Sequence, residues 1–305
     1  LFMSSGQGSP VKAILYAFLA NSGIAIAKLA AALYTSSGSM MAEAIHSLAD
    51  AGNQVLLYIG LKGAERPADA DHPLGYGKLS YFWSFIVALM LFSVGGLFSV
   101  YEGVHKLSAT TELNDLWVGM LVLGGAIVLE SFSLWGALRE VNLMRGKRSL
   151  LYWLRHTRNA EIVVVLGEDI AAIVGLIIAL GFVTLTHITG DPVYDAIGSI
   201  VIGVILIIVA IFIAIRVQSL LVGKSAEPDL QVSIKRAIEA DPNIEALLST
   251  ITLQLGPKVM LAAKIKMTAG LSIEAAVAHI NQLEVRIKAE HPVVGWCFIE
   301  PDVKD

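Results

Sequence analysis

Residues 160–187 read AEIVVVLGEDIAAIVGLIIALGFVTLTH, a long apolar run with two acids side by side inside it. A helix of that length exceeds the ~20 residues needed to cross the hydrocarbon of a bilayer. The pattern recurs, and length and flanks together predict six spans over 12–35, 40–62, 81–104, 115–138, 160–187 and 193–222. Turn-rich breaks separate them at 36–39, 67–77, 108–114 and 190–192. Strands in these stretches would leave open sheet edges in lipid, so helices are expected. Composition agrees. Of 305 residues, 55% are hydrophobic and 16% charged, against roughly 45–50% and about 25% in ordinary soluble domains. Mean hydropathy is +0.69. These figures exclude a soluble enzyme, a disordered chain and a DNA-binding domain.

The formal charge of −4 comes with no basic stripe to neutralise phosphates, which argues against a nucleic-acid partner. One cysteine, Cys297, excludes a disulfide framework and a multi-cysteine zinc site. Residues 1–11 carry no positive n-region followed by a cleavage site, so no signal peptide is expected. Lys62, Arg66 and Lys78 lie between spans two and three, and Arg139, Arg145, Lys147, Arg148, Arg155 and Arg158 between spans four and five. The loops on the other side carry only Lys106. The positive-inside rule then places both termini in the cytoplasm, and the expected location is a bacterial inner (plasma) membrane.

The composition changes after residue 222. Residues 228–240 are helix-like, 247–255 and 259–267 read as strands, 272–290 as a helix capped by Ser272, and 293–299 as a last strand. The expected fold is therefore an all-α six-helix transmembrane bundle over 1–222. A small cytoplasmic α+β domain of ferredoxin-like αββαβ order follows over 223–305, with a hinge at 223–228.

Ionisable residues inside a span cost about 2.5–3.5 kcal/mol each at its centre, so those present carry information. Span two holds Glu43, His46 and Asp50, and span five holds Glu168 and Asp169. His46 and Asp50, four positions apart, share one helix face with Glu43 and Asn53, and Gln54 borders that stripe. An imidazole and a carboxylate at that spacing present nitrogen and oxygen to one point, and a carboxylate from another helix can complete the shell. Zn²⁺ accepts such ligands at about 2.0–2.2 Å. Its charge offsets carboxylates buried in a dry bundle, which otherwise take up protons. Loading metal then releases protons. A site that binds either is the core of an antiporter, with imidazole as a natural proton carrier. Lys28 and Glu130 are further mid-span charges that either pair internally, the first reading, or line the path.

Three stretches carry a resemblance. Residues 38–50, GSMMAEAIHSLAD, 69–78, DADHPLGYGK, and 166–172, LGEDIAA, together resemble motifs of the cation diffusion facilitator family. The third is most like the divergent subgroup that includes the ninth animal zinc transporter. The resemblance covers nearly the whole chain. It implies a homodimer that exports divalent cations, commonly zinc, against protons by alternating access, with no prosthetic group. It also implies a transport site from the His and Asp of helix two and a ligand pair on helix five. His46 and Asp50 match the first pair, and Asp169 matches one member of the second. Val165 stands where many relatives have histidine. Water, Glu168 or Asn53 are the candidates for the fourth place. Replacing nitrogen by oxygen hardens the site, which brings Mn²⁺, Fe²⁺ or Co²⁺ in beside Zn²⁺. Asp69 and His72 match positions that bind a second metal in some relatives, but Tyr76 stands where those have histidine. In the tail His279, His291, Glu300 and Asp302 show no metal spacing, so a dimerisation domain without a metal cluster is expected.

Other readings are weaker. Gly75-Tyr76-Gly77 lacks the apolar pore helix of a potassium filter, and Gly77-Lys78-Leu79 lacks the spacing of a P-loop. No His-Glu-x-x-His supports a metalloprotease. A non-transporting membrane metal sensor or scaffold is the alternative function. A metallo-hydrolase would need Glu168 as its base.

Overall fold

The computed structural model describes residues 10–108 and 115–304. The expected lack of a signal peptide and most of the break at 108–114 therefore fall on residues outside those described. Two compact units emerge: one from the described parts of Leu1–Leu61, Phe82–Lys147 and Glu161–Val217, the other from Lys62–Tyr81, Arg148–Ala160 and Gln218–Asp305.

The first unit is helical. Its helices are α1 (Pro10–Thr35), α2 (Gly38–Ala64), α3 (Leu79–Met90), α4 (Phe98–Ser108), α5 (Leu116–Arg145), α7 (Ala160–Thr189) and α8 (Val193–Gly223). A π-helical segment, Leu91–Leu97, joins α3 and α4. All six stretches expected to be helical are so. Among the described residues, four helices are strongly apolar and long enough to cross a membrane: Leu79–Ser108, Leu116–Arg145, Ala160–Thr189 and Val193–Glu239, the last running on beyond α8.

The π segment was not anticipated. Its sequence, LFSVGGL, offers one hydroxyl and two glycines in place of a stiff apolar ladder. Ser93 Oγ donates back to Leu89 O at 2.7 Å and Ser99 Oγ to Gly95 O at 2.6 Å, competing with the regular backbone pattern. The glycines also let two helices touch backbone to backbone. A Cβ at Gly203 of α8 would lie 2.7 Å from Gly96 O, and one at Gly103 2.7 Å from Ala196 O. Small residues at a helix seam are the usual packing solution in lipid, where burying apolar surface gives no advantage.

The second unit contains a short helix α6 (Leu150–His156), helix α9 (Pro228–Glu239), strands β1 (Ile244–Leu255) and β2 (Lys258–Met267), helix α10 (Ile273–Glu290) and strand β3 (Val294–Pro301). The αββαβ order read from the sequence is observed. Pro228 opens α9 and Ser272 caps α10, accepting from Ala275 N at 3.2 Å. The three-stranded sheet runs β1-β2-β3, antiparallel then parallel. Val259, Leu261, Ala263 and Ile265 alternate inward along β2 and meet Ile234 and Ile238 of α9 and Leu283 and Ile287 of α10.

The hinge expected at 223–228 is not a free linker. Arg158, 7% exposed, donates to the carbonyls of Ser225 and Ala226. Arg148 pairs with Glu227 at 3.1 Å and Asp229 at 2.8 Å. Ala226 is fully buried, its N–H bonded to Thr252 Oγ1 at 3.1 Å. Glycine and proline signalled flexibility, but two arginines of the preceding connection fasten the segment. The loop at 67–77 belongs to the same unit. Gly77 presses on Leu255 O and Gly256, leaving no room for a side chain, and Tyr81 Oη donates to Gly256 O at 3.2 Å.

Candidate metal centre

The polar stripe of α2 is buried as the sequence pattern required. Glu43, His46 and Asn53 are each 0% exposed. One helical turn brings His46 Nδ1 within 3.5 Å of Asp50 Oδ1. Both ring nitrogens of His46, and Oδ1 of Asp50, lack a hydrogen-bond partner among the described residues. The same is true of Glu43 Oε1, Asn53 Oδ1 and Gln54 Oε1. Buried polar atoms are almost always paired, so a run of unpaired ones along a single stripe marks a place built for something other than stability.

Asp50 opens onto a cleft of about 30 Å³, lined by Asn21 of α1, Ser47, Asp50 and Gln54 of α2, Glu130 of α5, and Val165, Glu168, Asp169 and Ala172 of α7. That is roughly the share of one water molecule in the liquid. Both acids of the α7 pair reach this cleft. Glu168 is held by Asn53, whose Nδ2 donates to Oε1 at 2.6 Å, and Asp169 accepts a long 3.5 Å bond from Ser133 Oγ. His46, in contact with Asp50, is not among the residues that line the space. Among the described residues, no three His, Cys, Asp or Glu side chains converge closely enough to hold a metal. The donor chemistry suits a divalent ion, but the side chains are not drawn together.

One feature was left open by the sequence reading and another escaped it. Glu130, read as either internally paired or lining the path, lines the cleft. Asp195, in the first turn of α8 and 1% exposed, accepts from Ser37 Oγ at 2.6 Å, from Gly38 N, and from Ser39 N at 3.2 Å. It thereby anchors the start of α2, the helix that carries His46 and Asp50. Its only sequence signal was an acid in a helix's first turn, a common helix-dipole partner. Lys28, also noted as a mid-span charge, is fully buried and bonds Glu43 and Ser47 of α2.

Asp69 and His72 have a different setting. Asp69 Oδ1 accepts from His72 N at 2.7 Å and Oδ2 from Tyr76 Oη at 2.7 Å. The His72 and Tyr76 rings lie 4.2 Å apart. Tyr76 stands where a histidine would serve as a ligand, and instead ties the aspartate into the turn. Its hydroxyl, with the His72 N–H, holds the Asp69 carboxyl below the usual range, and the phenol is raised in return. In the tail, His279 meets Asn243 at 3.2 Å and His291 meets Ser233 at 3.4 Å, while Asp302 pairs with Lys264 at 3.2 Å.

Residues 14–222 match the cation efflux transmembrane domain family. The chain belongs to the cation diffusion facilitator family. It is similar to the mitochondrial proton-coupled zinc antiporter SLC30A9 of Xenopus laevis and of Homo sapiens, 31% identical over 277 residues in each case. The alignment covers 90% of this chain and 49% and 48% of those proteins. It is also similar to metal tolerance protein C4 of Arabidopsis thaliana, 33% identical over 227 residues, 73% of this chain and 49% of that one. This facilitator chain thus spans about half the length of these relatives.

Proposed function

We propose that this protein exports a divalent cation, Zn²⁺ first, in exchange for protons by alternating access of one site in its helix bundle. The observation that carries the reading is the one-ion cleft faced by Asp50, Glu130, Glu168 and Asp169, beside a buried His46 with both ring nitrogens unpaired. His46, Asp50 and Asp169 are the proposed ligands. Glu168 is the proposed fourth, released from Asn53 on loading. Because the donors do not converge, metal entry draws Asp169 of α7 toward the His46–Asp50 pair. The dication offsets the buried carboxylates, and protons arriving at the same oxygens release it. The oxygen-rich set also admits Mn²⁺, Fe²⁺ or Co²⁺. Asp69 and His72 form at most a weak second site, since Asp69 already serves the turn.

The proposed setting is six spans, both termini inside, and a ferredoxin-like tail over 223–305 that joins two copies. The proposed membrane is a bacterial inner (plasma) membrane, although the vertebrate relatives are named as mitochondrial.

Proteoliposomes in which Zn²⁺ uptake and internal pH are recorded together test this. Wild type should move Zn²⁺ with opposing proton flow, and Asp50→Ala should fall to the empty-liposome rate. No metal flux in wild type would refute transport, and Zn²⁺ flux without proton flow would refute antiport. Normal transport by Asp169→Ala would remove that residue from the ligand set.

A further inference from the structure

Lys28 of α1 is 0% exposed, an expensive position for an ammonium that serves no purpose. Its Nζ lies 3.3 Å from Glu43 Oε2 and donates to Ser47 Oγ at 2.7 Å. Glu43 sits on the stripe of α2 that carries His46 and Asp50, three residues before the histidine. Its other oxygen, Oε1, is buried without a hydrogen-bond partner and lies against Gly175 of α7, where a Cβ would collide with it. The carboxylate is therefore about one turn from His46 on the same stripe, outside the lining of the cleft itself, and engaged on one oxygen by a cation that belongs to the protein.

We propose that Lys28 is a selectivity residue: by occupying Glu43 it withholds a carboxylate from the metal shell and keeps the site suited to a small ion of low coordination number. The inference rests on the α2–α7 cleft being the transport site. With Glu43 withheld, the proposed ligands are one imidazole and the oxygens of Asp50, Asp169 and Glu168, with Glu130 also lining the cleft but outside the ligand set. That number suits four-coordinate Zn²⁺. With Glu43 released, a further hard oxygen enters, and higher coordination by carboxylates suits Mn²⁺ or Mg²⁺ instead. Among the described residues Lys28 makes no hydrogen bond to the proposed ligands; its charge also reaches His46 and Asp50 at a distance, and its direct contacts on α2 are Glu43 and Ser47. Ser47 and Gly175 contribute by fixing the ammonium and leaving room for the carboxylate.

The test uses the full-length purified chain with Co²⁺ as a spectroscopic probe, alongside Zn²⁺ and Mn²⁺ flux in proteoliposomes. Four-coordinate Co²⁺ absorbs strongly in the visible, and six-coordinate Co²⁺ weakly. Lys28→Gln should weaken the Co²⁺ band several-fold and lower the Zn²⁺/Mn²⁺ preference roughly tenfold. Lys28→Gln/Glu43→Gln removes both charges and should restore the wild-type band and preference, which a loss of packing alone would not do. The double variant also stands as the test if the single one fails to fold. An unchanged band in folded Lys28→Gln, or an altered one in the double variant, would overturn the proposal. The spectrum reads coordination without flux, so failure of the transport reading and failure of this one remain distinguishable.

Discussion

Replacing Asp195 with alanine should loosen the start of α2 by an amount the contacts define. Three donors converge on that carboxylate: Ser37 Oγ at 2.6 Å, the Gly38 N–H, and Ser39 N at 3.2 Å. Asp195 is 1% exposed, so water does not readily replace it. Ser37 can re-aim its hydroxyl, but two amides of a helix N-terminus lose their acceptor. An unsatisfied buried donor costs about 1–3 kcal/mol, which puts Asp195→Ala at about 2–6 kcal/mol. Asp195→Asn keeps one oxygen and should cost about 1–3 kcal/mol. Ser37→Ala is a calibrating control at about 1 kcal/mol, because Ser37 Oγ also accepts from Met40 N at 3.1 Å as a helix cap does. Equilibrium unfolding in mixed detergent micelles, followed by tryptophan fluorescence, measures all three. Hydrogen exchange should show the amides of 38–41 opening faster in Asp195→Ala while those of α10 are unchanged. An alanine variant within 0.5 kcal/mol of wild type, or an asparagine variant as damaging as alanine, would refute the assignment of Asp195 as the anchor of α2.

Two predictions concern the second unit. Arg158→Ala should free the segment at 223–228, seen as new proteolytic cleavage between Gly223 and Pro228; an unchanged digestion pattern would return that segment to being held by other contacts. Tyr76→Phe should raise the Asp69 carboxyl toward the ordinary value of about 3.9, since the tyrosine hydroxyl is the main cause of its lowering. A depressed carboxyl stabilises the turn above its unfolded pKa and loses that contribution as pH falls through the folded one. The wild-type turn should therefore hold at pH 5 and open below the usual carboxylate range, whereas the phenylalanine variant should open at higher pH. NMR titration of the Asp69 side chain checks this.

The helices were legible because apolar runs of membrane length leave few alternatives, and the tail because its periodicity changes so sharply after 222. The π segment at Leu91–Leu97 was not, since hydropathy is blind to whether a serine bonds back to the preceding turn. The 223–228 segment misled because glycine and proline report local freedom, while Arg148 and Arg158 act from more than sixty residues away. At the cleft, His46 and Asp50 were readable from a spacing of four. Asp169 and Glu168 stand 100° apart on an ideal helix, yet the cleft is wide enough to receive both. Asp195 and the Lys28–Glu43 pair required the third dimension, because each joins helices far apart in sequence.

The charges of the first unit constrain what the protein does in a way no single contact shows. Asp50, Glu130, Glu168 and Asp169 line one cleft, Glu43 shares the α2 stripe with Asp50, and among the described residues the cation paired with this set is Lys28. A buried, unpaired ion costs several kcal/mol, and total stability is about 5–15 kcal/mol, so the set cannot all stay charged on its own. The missing positive charge must come from outside, as a dication or as protons. Metal affinity and stability are then one quantity read in two ways. Zn²⁺ at 100 times its Kd should add about 2.7 kcal/mol of resistance to unfolding. Asp50→Ala should lose that increment without losing stability in the absence of metal, because it removes a buried charge along with a ligand. Equal stabilisation of Asp50→Ala and wild type by Zn²⁺ would mean that the metal binds elsewhere and that the cleft serves another purpose.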